Sequence, residues 1–221
     1  MRVCELMTHD VVAVPPDTPL KEVARLLVDH RIGGVPVIDD DQVVLGVVSE
    51  SDFVIKELSS DNVRRSRFDR LLGRGNRDAA RVAARTAGEA MTAPAITIDG
   101  TASVREAAIK MVERNINRLP VTESGRLVGI LTRGDLVGLF AQPDSAIADR
   151  LRHLLRAVDG LVVERVENGI ATLAGTVDTR VMAETAAHLA EVADGVVAVN
   201  TDRLAWREDS DREPTRPTEA G

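Results

Sequence analysis

Two short stretches of this sequence place a hydroxyl three residues before a carboxylate. Ser49 and Asp52 lie in GVVSESD, and Thr132 and Asp135 lie in GILTRGD, each directly after an apolar run. This spacing is typical of a capping box, in which the hydroxyl and the acid take free amides of a helix's first turn. The same pair could also bind a ligand. A carboxylate accepts two hydrogen bonds from a vicinal diol, and a helix N-terminus offers amides to a phosphate.

Both stretches belong to an internal repeat. The segment 7–14 returns at 91–98, and the segment 19–27 returns at 103–111, in each case 84 residues later. Pro36 and Pro120 are also in register, and the later part of the repeat matches after the loss of one residue in a turn. In each copy the apolar periodicity predicts the order β-α-β-β-α.

This order and these motifs resemble the CBS domain, and two such domains in tandem resemble a Bateman module. The resemblance rests on the early Met-Thr, the x-Pro-Val strand and the Gly-h-h-[Ser/Thr]-x-x-Asp ending of each copy. It implies an α+β fold in which two β-α-β-β-α repeats pack as a pair and leave two clefts. The predicted boundaries are repeat 1 over 1–58, a basic inter-repeat insert over 59–90 and repeat 2 over 91–141.

The resemblance also implies a ligand, because adenine nucleotides commonly bind in the clefts of CBS pairs. By position, the ribose and phosphate contacts fall to Ser49 and Asp52 in the first repeat. In the second repeat they fall to Thr132 and Asp135, with Arg133 between them. We expect the second repeat's cleft to bind phosphate-bearing ligands first, because Arg133 stands where the first repeat has a glutamate. The implied base-flanking residues are Val12, Val35, Pro36, Ile96, Leu119 and Pro120.

The insert over 59–90 is basic within an acidic chain. It carries eight arginines against four acids, whereas the whole chain has a net charge of -7. It could present a basic surface to nucleic acid, anionic lipid or an acidic protein, or it could be a solvated connector that docks on the protein's own acidic surface. The chain has three Phe, one Trp and no Tyr, so it lacks rings for base stacking. Nucleic acid is therefore not an expected partner.

A different pattern begins near residue 145. A capped amphipathic helix is followed by LVVERVENGIATLAGTV, which predicts a hairpin turning at Asn168-Gly169. A helix over about 179–193, with Leu189 on its inward face, and a final strand complete a small α-β-β-α-β unit over 145–206. Through GIATLAGTV and VADGVVAVNTDRL this unit resembles the BON domain, a family linked to phospholipid or membrane-surface binding.

Catalysis and metal binding have little support in the sequence. The four histidines lie far apart, and the chain has no nucleophile elbow, P-loop or Gly-x-Gly-x-x-Gly motif. No catalytic residue, metal site or required cofactor is therefore predicted. The single cysteine (Cys4), the lack of a signal peptide and the lack of a long apolar run predict a cytoplasmic protein. The polar segment 207–221 is expected to be a disordered tail.

The leading hypothesis is a non-catalytic regulatory protein that senses an adenosine-containing nucleotide (AMP, ADP or ATP) in the clefts of a CBS pair. A homodimer through that pair is expected. The alternative is a structural or interaction module with vacant clefts. In that case the BON-like domain and the basic insert would bind a membrane surface, nucleic acid or another protein.

Overall fold

The computed structural model describes residues 1–60 and 84–207. The chain divides into two compact units, Met1–Asp135 and Leu136–Gly221. Most of the predicted basic insert (61–83) and nearly all of the predicted tail (208–221) lie outside the described residues. Within the described ranges, the helices fall short of the length and hydrophobicity that crossing a bilayer requires.

The first repeat consists of a helix, a two-stranded antiparallel ladder and a second helix. The first helix is amphipathic and buries Val23 and Leu27, which lie one turn apart on the same face. The first strand of the predicted β-α-β-β-α order is reduced to a single parallel bridge between Val14 and Val37. The elements are α1 (Leu20–His30), β1 (Gly34–Ile38), β2 (Val44–Ser49) and α2 (Glu50–Ser60).

The second repeat has the predicted order β-α-β-β-α, preceded by a one-turn helix. Its first strand is two residues long and runs parallel to the next strand, with Ile98 opposite Val121. Its main helix buries Val104, Ala107 and Met111 at helical spacing. The elements are α3 (Ala87–Ala90), β3 (Ile98–Asp99), α4 (Val104–Glu113), β4 (Arg118–Glu123), β5 (Arg126–Thr132) and α5 (Arg133–Phe140).

The segments that lead into the two repeats are exchanged. Thr8, ahead of α1 in the first repeat, forms backbone hydrogen bonds of 2.9 Å in both directions with Ile130 of β5. Thr92, ahead of β3 in the second repeat, pairs in the same way with Val47 of β2, at 2.9 and 3.2 Å. The methionine before each threonine lies against a glycine of the facing strand, where a Cβ would collide with the methionine sulfur. Each repeat therefore completes the sheet of the other.

The end of the predicted insert is also packed against the first repeat. The side chains of Ala84, Ala87 and Ala90 are buried in one apolar cluster with Val23 of α1. The segment 84–90 thus belongs to the folded core of the first unit, although its sequence neighbours are rich in arginine. Its small alanines let α3 approach α1 and β2 closely.

The second unit is a three-stranded sheet with two helices packed on it, in the predicted order α-β-β-α-β. The central strand runs antiparallel to the first strand and parallel to the last. Ile147 and Leu151 of the first helix pack in one core with Leu173 of the central strand and Ala186 of the second helix. The elements are α6 (Asp144–Leu155), β6 (Leu161–Glu167), β7 (Ile170–Val177), α7 (Arg180–Glu191) and β8 (Ala198–Trp206).

The hairpin turn of the second unit lies where the Asn-Gly pair predicts it. Asn168 and Gly169 have φ angles of 50° and 75°, the left-handed conformation that a tight hairpin requires at both positions. The carboxylate of Asp144, the first residue of α6, accepts hydrogen bonds of 2.8 Å from the amides of both turn residues. One acidic side chain therefore ties the start of α6 to the tip of the hairpin.

The inward face of α7 differs from the prediction. Ala183, Ala186 and Ala190 are buried, whereas Leu189 is 37% exposed. A stripe of alanines lets the helix lie closer to the sheet than a leucine would allow, and Leu189 is left partly exposed. The prediction is therefore wrong at Leu189, whereas Met182, Ala186 and Ala193 do contact the core.

Candidate functional site

Both hydroxyl–carboxylate pairs lie at a junction between a strand and a helix. Oδ2 of Asp52 accepts hydrogen bonds from the Ser49 amide at 2.8 Å and the Ser49 hydroxyl at 3.1 Å. Oδ2 of Asp135 accepts from the Thr132 amide and hydroxyl, both at 2.7 Å. In the second repeat the Asp135 amide also donates to Thr132 Oγ1 at 3.3 Å, which makes the cap reciprocal. Each acid therefore stabilises the start of its own helix.

The two carboxylates differ in their access to a ligand once their capping hydrogen bonds are formed. The capping bonds use Oδ2 of Asp135, and within the described part of the chain no hydrogen bond reaches its Oδ1. Asp135 is half-buried and lines a cavity. Asp52 is only 8% exposed and does not line the cavity beside it. The same motif thus presents a carboxylate to a cavity in the second repeat and withdraws it in the first.

Two cavities lie between the repeats of the first unit. The first cleft contains Ser49 and has a volume of about 210 Å³. The second cleft contains Thr132 and Asp135 and has a volume of about 460 Å³. Small-molecule sites usually measure about 300–1,000 Å³, so the second cleft alone of this pair has the size of one.

Each cleft is lined by residues of both repeats, and the two repeats exchange roles between the two clefts. The first cleft is walled by the start of α2 and by segments 94–96 and 115–118 of the second repeat. The second cleft is walled by the start of α5 and by segments 10–12 and 31–34 of the first repeat. The residues before each repeat's first strand therefore contribute to the cleft of the other repeat, as the exchanged lead-in segments require.

The predicted base-flanking residues fall into two groups. Val12 lines the second cleft, and Ile96 lines the first. The other four, from β1 and β4, are buried and line neither cleft. Because these strands have both faces covered, their x-Pro-Val residues contribute to the core beneath the clefts. The buried four are Val35, Pro36, Leu119 and Pro120.

Arg133 lies at the second cleft, but its side chain is anchored to its own repeat. Its Nε donates to the carbonyl of Ile116 at 3.1 Å, and its Nη2 donates to the carbonyl of Met111 at 3.3 Å. The carbonyl of Met111 is in the last turn of α4, where a cation is favoured by the helix dipole, and Ile116 follows that helix. Arg133 therefore caps one helix while its charge remains at the mouth of the cleft.

Arg118 is a cleft residue that the sequence analysis missed. It begins β4 directly opposite Thr132 and lines both clefts. Its Nη1 atom is buried and has no hydrogen-bond acceptor within residues 1–60 and 84–207. Burial lowers the pKa of its guanidinium, and the charges of Glu50 and Asp52 raise that pKa in part.

A signal for Arg118 was present in the repeat itself. In the alignment of RIGGVP with NINRLP, Arg118 takes the place of Gly34. Its guanidinium lies over Gly33 and Gly34 of the first repeat, where a Cβ on Gly34 would overlap Nη1. The same repeat position therefore holds an arginine in one copy and a glycine in the other, and these two residues pack against each other.

Models of two known domain families match most of this chain. The model of the CBS domain matches residues 3–58 and 87–142, and the model of the BON domain matches residues 143–208. Among curated proteins, the chloroplastic CBS domain-containing protein CBSX1 of Arabidopsis thaliana is 33% identical over 151 residues. That match covers 60% of this chain and 61% of the relative, so the chain spans about three fifths of that protein's length. Hypoxic response protein 1 of Mycobacterium tuberculosis is 30% identical over 132 residues, which cover 60% of this chain and 80% of the relative.

Solved structures show the same pair of domains. The structure of CBSX2 in complex with AMP has a TM-score of 0.53 and 30% identity, and it covers 62% of this chain and 94% of its own. The CBS domain pair of protein MJ0100, in complex with 5′-methylthioadenosine and S-adenosyl-L-methionine, has a TM-score of 0.50 and 25% identity. It covers 64% of this chain and 96% of its own. The chain therefore belongs to the CBS domain family, as a tandem CBS pair followed by a BON domain.

Proposed function

We propose that this protein binds an adenosine-containing nucleotide in the second cleft and is a non-catalytic regulatory protein that responds to it. The observation that carries the proposal is the open carboxylate oxygen of Asp135 beside a cavity of ligand size. A ribose presents two neighbouring hydroxyls, and an ionised carboxylate can accept both. The cap formed with Thr132 holds this carboxylate in one orientation, so the site is preorganised.

The charges around the second cleft favour a phosphate. Its lining includes Arg31, Arg118 and Arg133, against the two acids Asp10 and Asp135. The lining of the first cleft has Arg118 against Glu50, and its volume is less than half as large. We therefore propose that AMP, ADP or ATP fills the second cleft first and that no cofactor is required.

An apolar wall is available for the adenine base. Val12 in the second cleft and Ile96 in the first are the two base-flanking residues that reach a cavity. We propose that they contact the base, while Val35 and Leu119 support the walls from the core. Hydrophobic walls with a few placed polar groups are the usual composition of a small-molecule site.

The ligands of the solved relatives support the same class of molecule. CBSX2 was solved with AMP, and MJ0100 with 5′-methylthioadenosine and S-adenosyl-L-methionine. The part that these three ligands share is adenine on a ribose that carries both the 2′- and the 3′-hydroxyl. We therefore propose that the CBS pair of this chain recognises the adenosine part of its ligand. The charged residues beside each cleft then determine whether a charged or an uncharged 5′ substituent is bound.

We further propose that the CBS pair forms a homodimer. Val28 on α1 and Val112 on α4 occupy equivalent repeat positions, and they are 74% and 75% exposed. Apolar side chains exposed at matched positions of two helices are typical of a surface that a second copy covers. A nucleotide that binds one arrangement of this assembly more tightly would shift the population toward it, as regulation requires.

A thermal-shift panel tests the nucleotide proposal. AMP, ADP, ATP, 5′-methylthioadenosine and S-adenosylmethionine would each be added to the full chain, with GMP as the base control. At a ligand concentration of 100 times Kd, binding adds about 2.7 kcal/mol to stability, which raises Tm measurably. We expect a shift with at least one adenosine ligand, no shift with GMP, and loss of the shift in Asp135→Asn. A panel without any shift would contradict the proposal.

The second candidate function is an interaction module that uses the BON domain. In the second unit Val162, Val181 and Val197 are 58%, 70% and 61% exposed. Such side chains could contact a membrane surface or a protein partner. Co-sedimentation of the full chain with anionic vesicles tests the membrane form, and binding together with a silent nucleotide panel would favour this function.

A further inference from the structure

Arg118 lines both clefts of the first unit. It lies opposite Thr132 in the β4–β5 ladder and therefore adjoins the second cleft. Its side chain extends over the first repeat, where a Cβ on Gly33 would lie 2.6 Å from Nη2. The same residue lines the first cleft beside Glu50. One guanidinium thus stands at the wall that the two cavities have in common.

Within residues 1–60 and 84–207, part of the hydrogen-bonding capacity of this guanidinium is unused. Nη1 is buried without an acceptor within the described residues. A guanidinium stays charged and carries five donors, so a buried donor without an acceptor is unfavourable. Because Arg118 lines both clefts, an anion that enters either cleft can accept from its guanidinium, and the planar group can direct a full pair of donors toward one anion at a time.

We infer that Arg118 is a single anion donor shared by the two clefts, so that a phosphate bound in one cleft weakens phosphate binding in the other. This inference rests on the proposed nucleotide function and adds a coupling between the sites. Coupling of this kind is reciprocal, because each ligand changes the affinity for the other by the same factor. An uncharged adenosine ligand does not compete for the guanidinium and fills the clefts without this coupling.

Calorimetry on the full chain tests the inference with two probes, AMP and uncharged adenosine. In the wild type we expect the two AMP-binding events to differ in affinity more widely than the two adenosine events. Arg118→Met keeps an unbranched apolar stem and removes the charged guanidinium. We expect it to weaken the first AMP event about tenfold, to narrow the gap between the AMP events, and to leave adenosine affinity unchanged. Arg114→Met, an exposed arginine of the same unit, is the matched control and should change neither probe.

The outcomes separate the inference from the function on which it rests. Unchanged AMP binding in Arg118→Met, or weaker AMP binding with an unchanged gap, overturns the shared donor and leaves nucleotide binding in place. A wild type that binds neither probe overturns both. If Arg118→Met does not fold, Arg118→Lys decides, because it keeps the charge and loses the planar fork. In Arg118→Lys, weaker AMP binding with a narrower gap between the two AMP events and normal adenosine binding supports the inference, and an unchanged gap or an equal loss of both probes overturns it.

Discussion

Gly34 and Arg118 occupy the same position in the two repeats, and they meet: the guanidinium of Arg118 fills the space where Gly34 lacks a side chain. A Cβ on Gly34 would also lie 2.7 Å from the backbone carbonyl oxygen of Val48. The glycine is therefore needed for a close approach. The contact couples the geometry of the first repeat to a charged group of the second.

Gly34→Ala should destabilise the first unit by about 1–3 kcal/mol, the usual cost of overpacking a filled site. The methyl group meets both a backbone oxygen and the guanidinium, and the backbone cannot move aside cheaply. Gly138→Ala is the matched control, because no atom lies within 4 Å of its added Cβ. In helix α5 that change should add about 0.5–1 kcal/mol of stability. Urea unfolding measures both, and equal stabilities for the two variants would contradict the packing argument.

The two clefts should differ in affinity for AMP. Asp135→Asn removes the charge of the carboxylate that lines the larger cleft, so the tighter binding event should weaken at least about tenfold. Asp52→Asn should spare that event, because Asp52 is buried away from its cavity. Isothermal titration calorimetry distinguishes the two variants. A reversed pattern, or equal losses in both, would show that the ranking of the clefts is wrong.

The exchanged lead-in segment should stabilise the second repeat although it comes first in the chain. Val3 is fully buried, and its amide donates to the carbonyl of Ala102 at 2.9 Å. Val3→Ala should therefore cost about 2 kcal/mol, as expected for a large-to-small change in a core. Val54→Ala is the control, since Val54 is 57% exposed and its truncation should cost less than about 0.5 kcal/mol. Equal effects on the unfolding midpoint would mean that the segment 1–8 is not part of the core.

A fragment of residues 1–60 should not fold, whereas residues 1–141 should. The first repeat needs Thr92 to extend its ladder and Ala87 and Ala90 to close its core, and the fragment lacks all three. The longer fragment contains both exchanged segments. Circular dichroism melts should show a cooperative transition for residues 1–141 and none for residues 1–60. A stable, cooperatively melting 1–60 monomer would refute the mutual dependence of the repeats.

Asp144→Ala should destabilise the second unit by about 1–3 kcal/mol, because two amides of the hairpin turn lose their acceptor. Asp149→Ala removes another acid from the same helix, but its ion pair with Arg152 is exposed and contributes about 0–1 kcal/mol. Chemical denaturation of the two variants gives the comparison. The expected order is a clearly lower midpoint for Asp144→Ala than for Asp149→Ala, and the reverse order would exclude the turn contact.

Much of the fold could be predicted from the sequence because the signals are local. The helical spacing of Val104, Ala107 and Met111 and the Asn168-Gly169 turn each act over a few residues, and the 84-residue repeat shows the same local patterns twice. The hydroxyl–carboxylate spacing likewise predicted the helix caps formed by Asp52 and Asp135. These features depend on backbone propensity and periodicity, which a single chain segment carries by itself.

The tertiary structure decided what depends on contacts between distant segments. Local periodicity carries no information on which repeat each Met-Thr segment pairs with. In the folded chain Thr92 pairs with β2 and Thr8 pairs with β5, so each segment joins the sheet of the other repeat. The ligand roles assigned to the site residues stay predictions, but their settings are now distinct: Asp135 faces a cavity and Asp52 is buried. The place of Arg118 required both repeats to be packed, because its space is made by the missing side chain of Gly34, 84 residues earlier in the chain. Steric complementarity between separate parts of a chain is set by packing, and no local pattern encodes it.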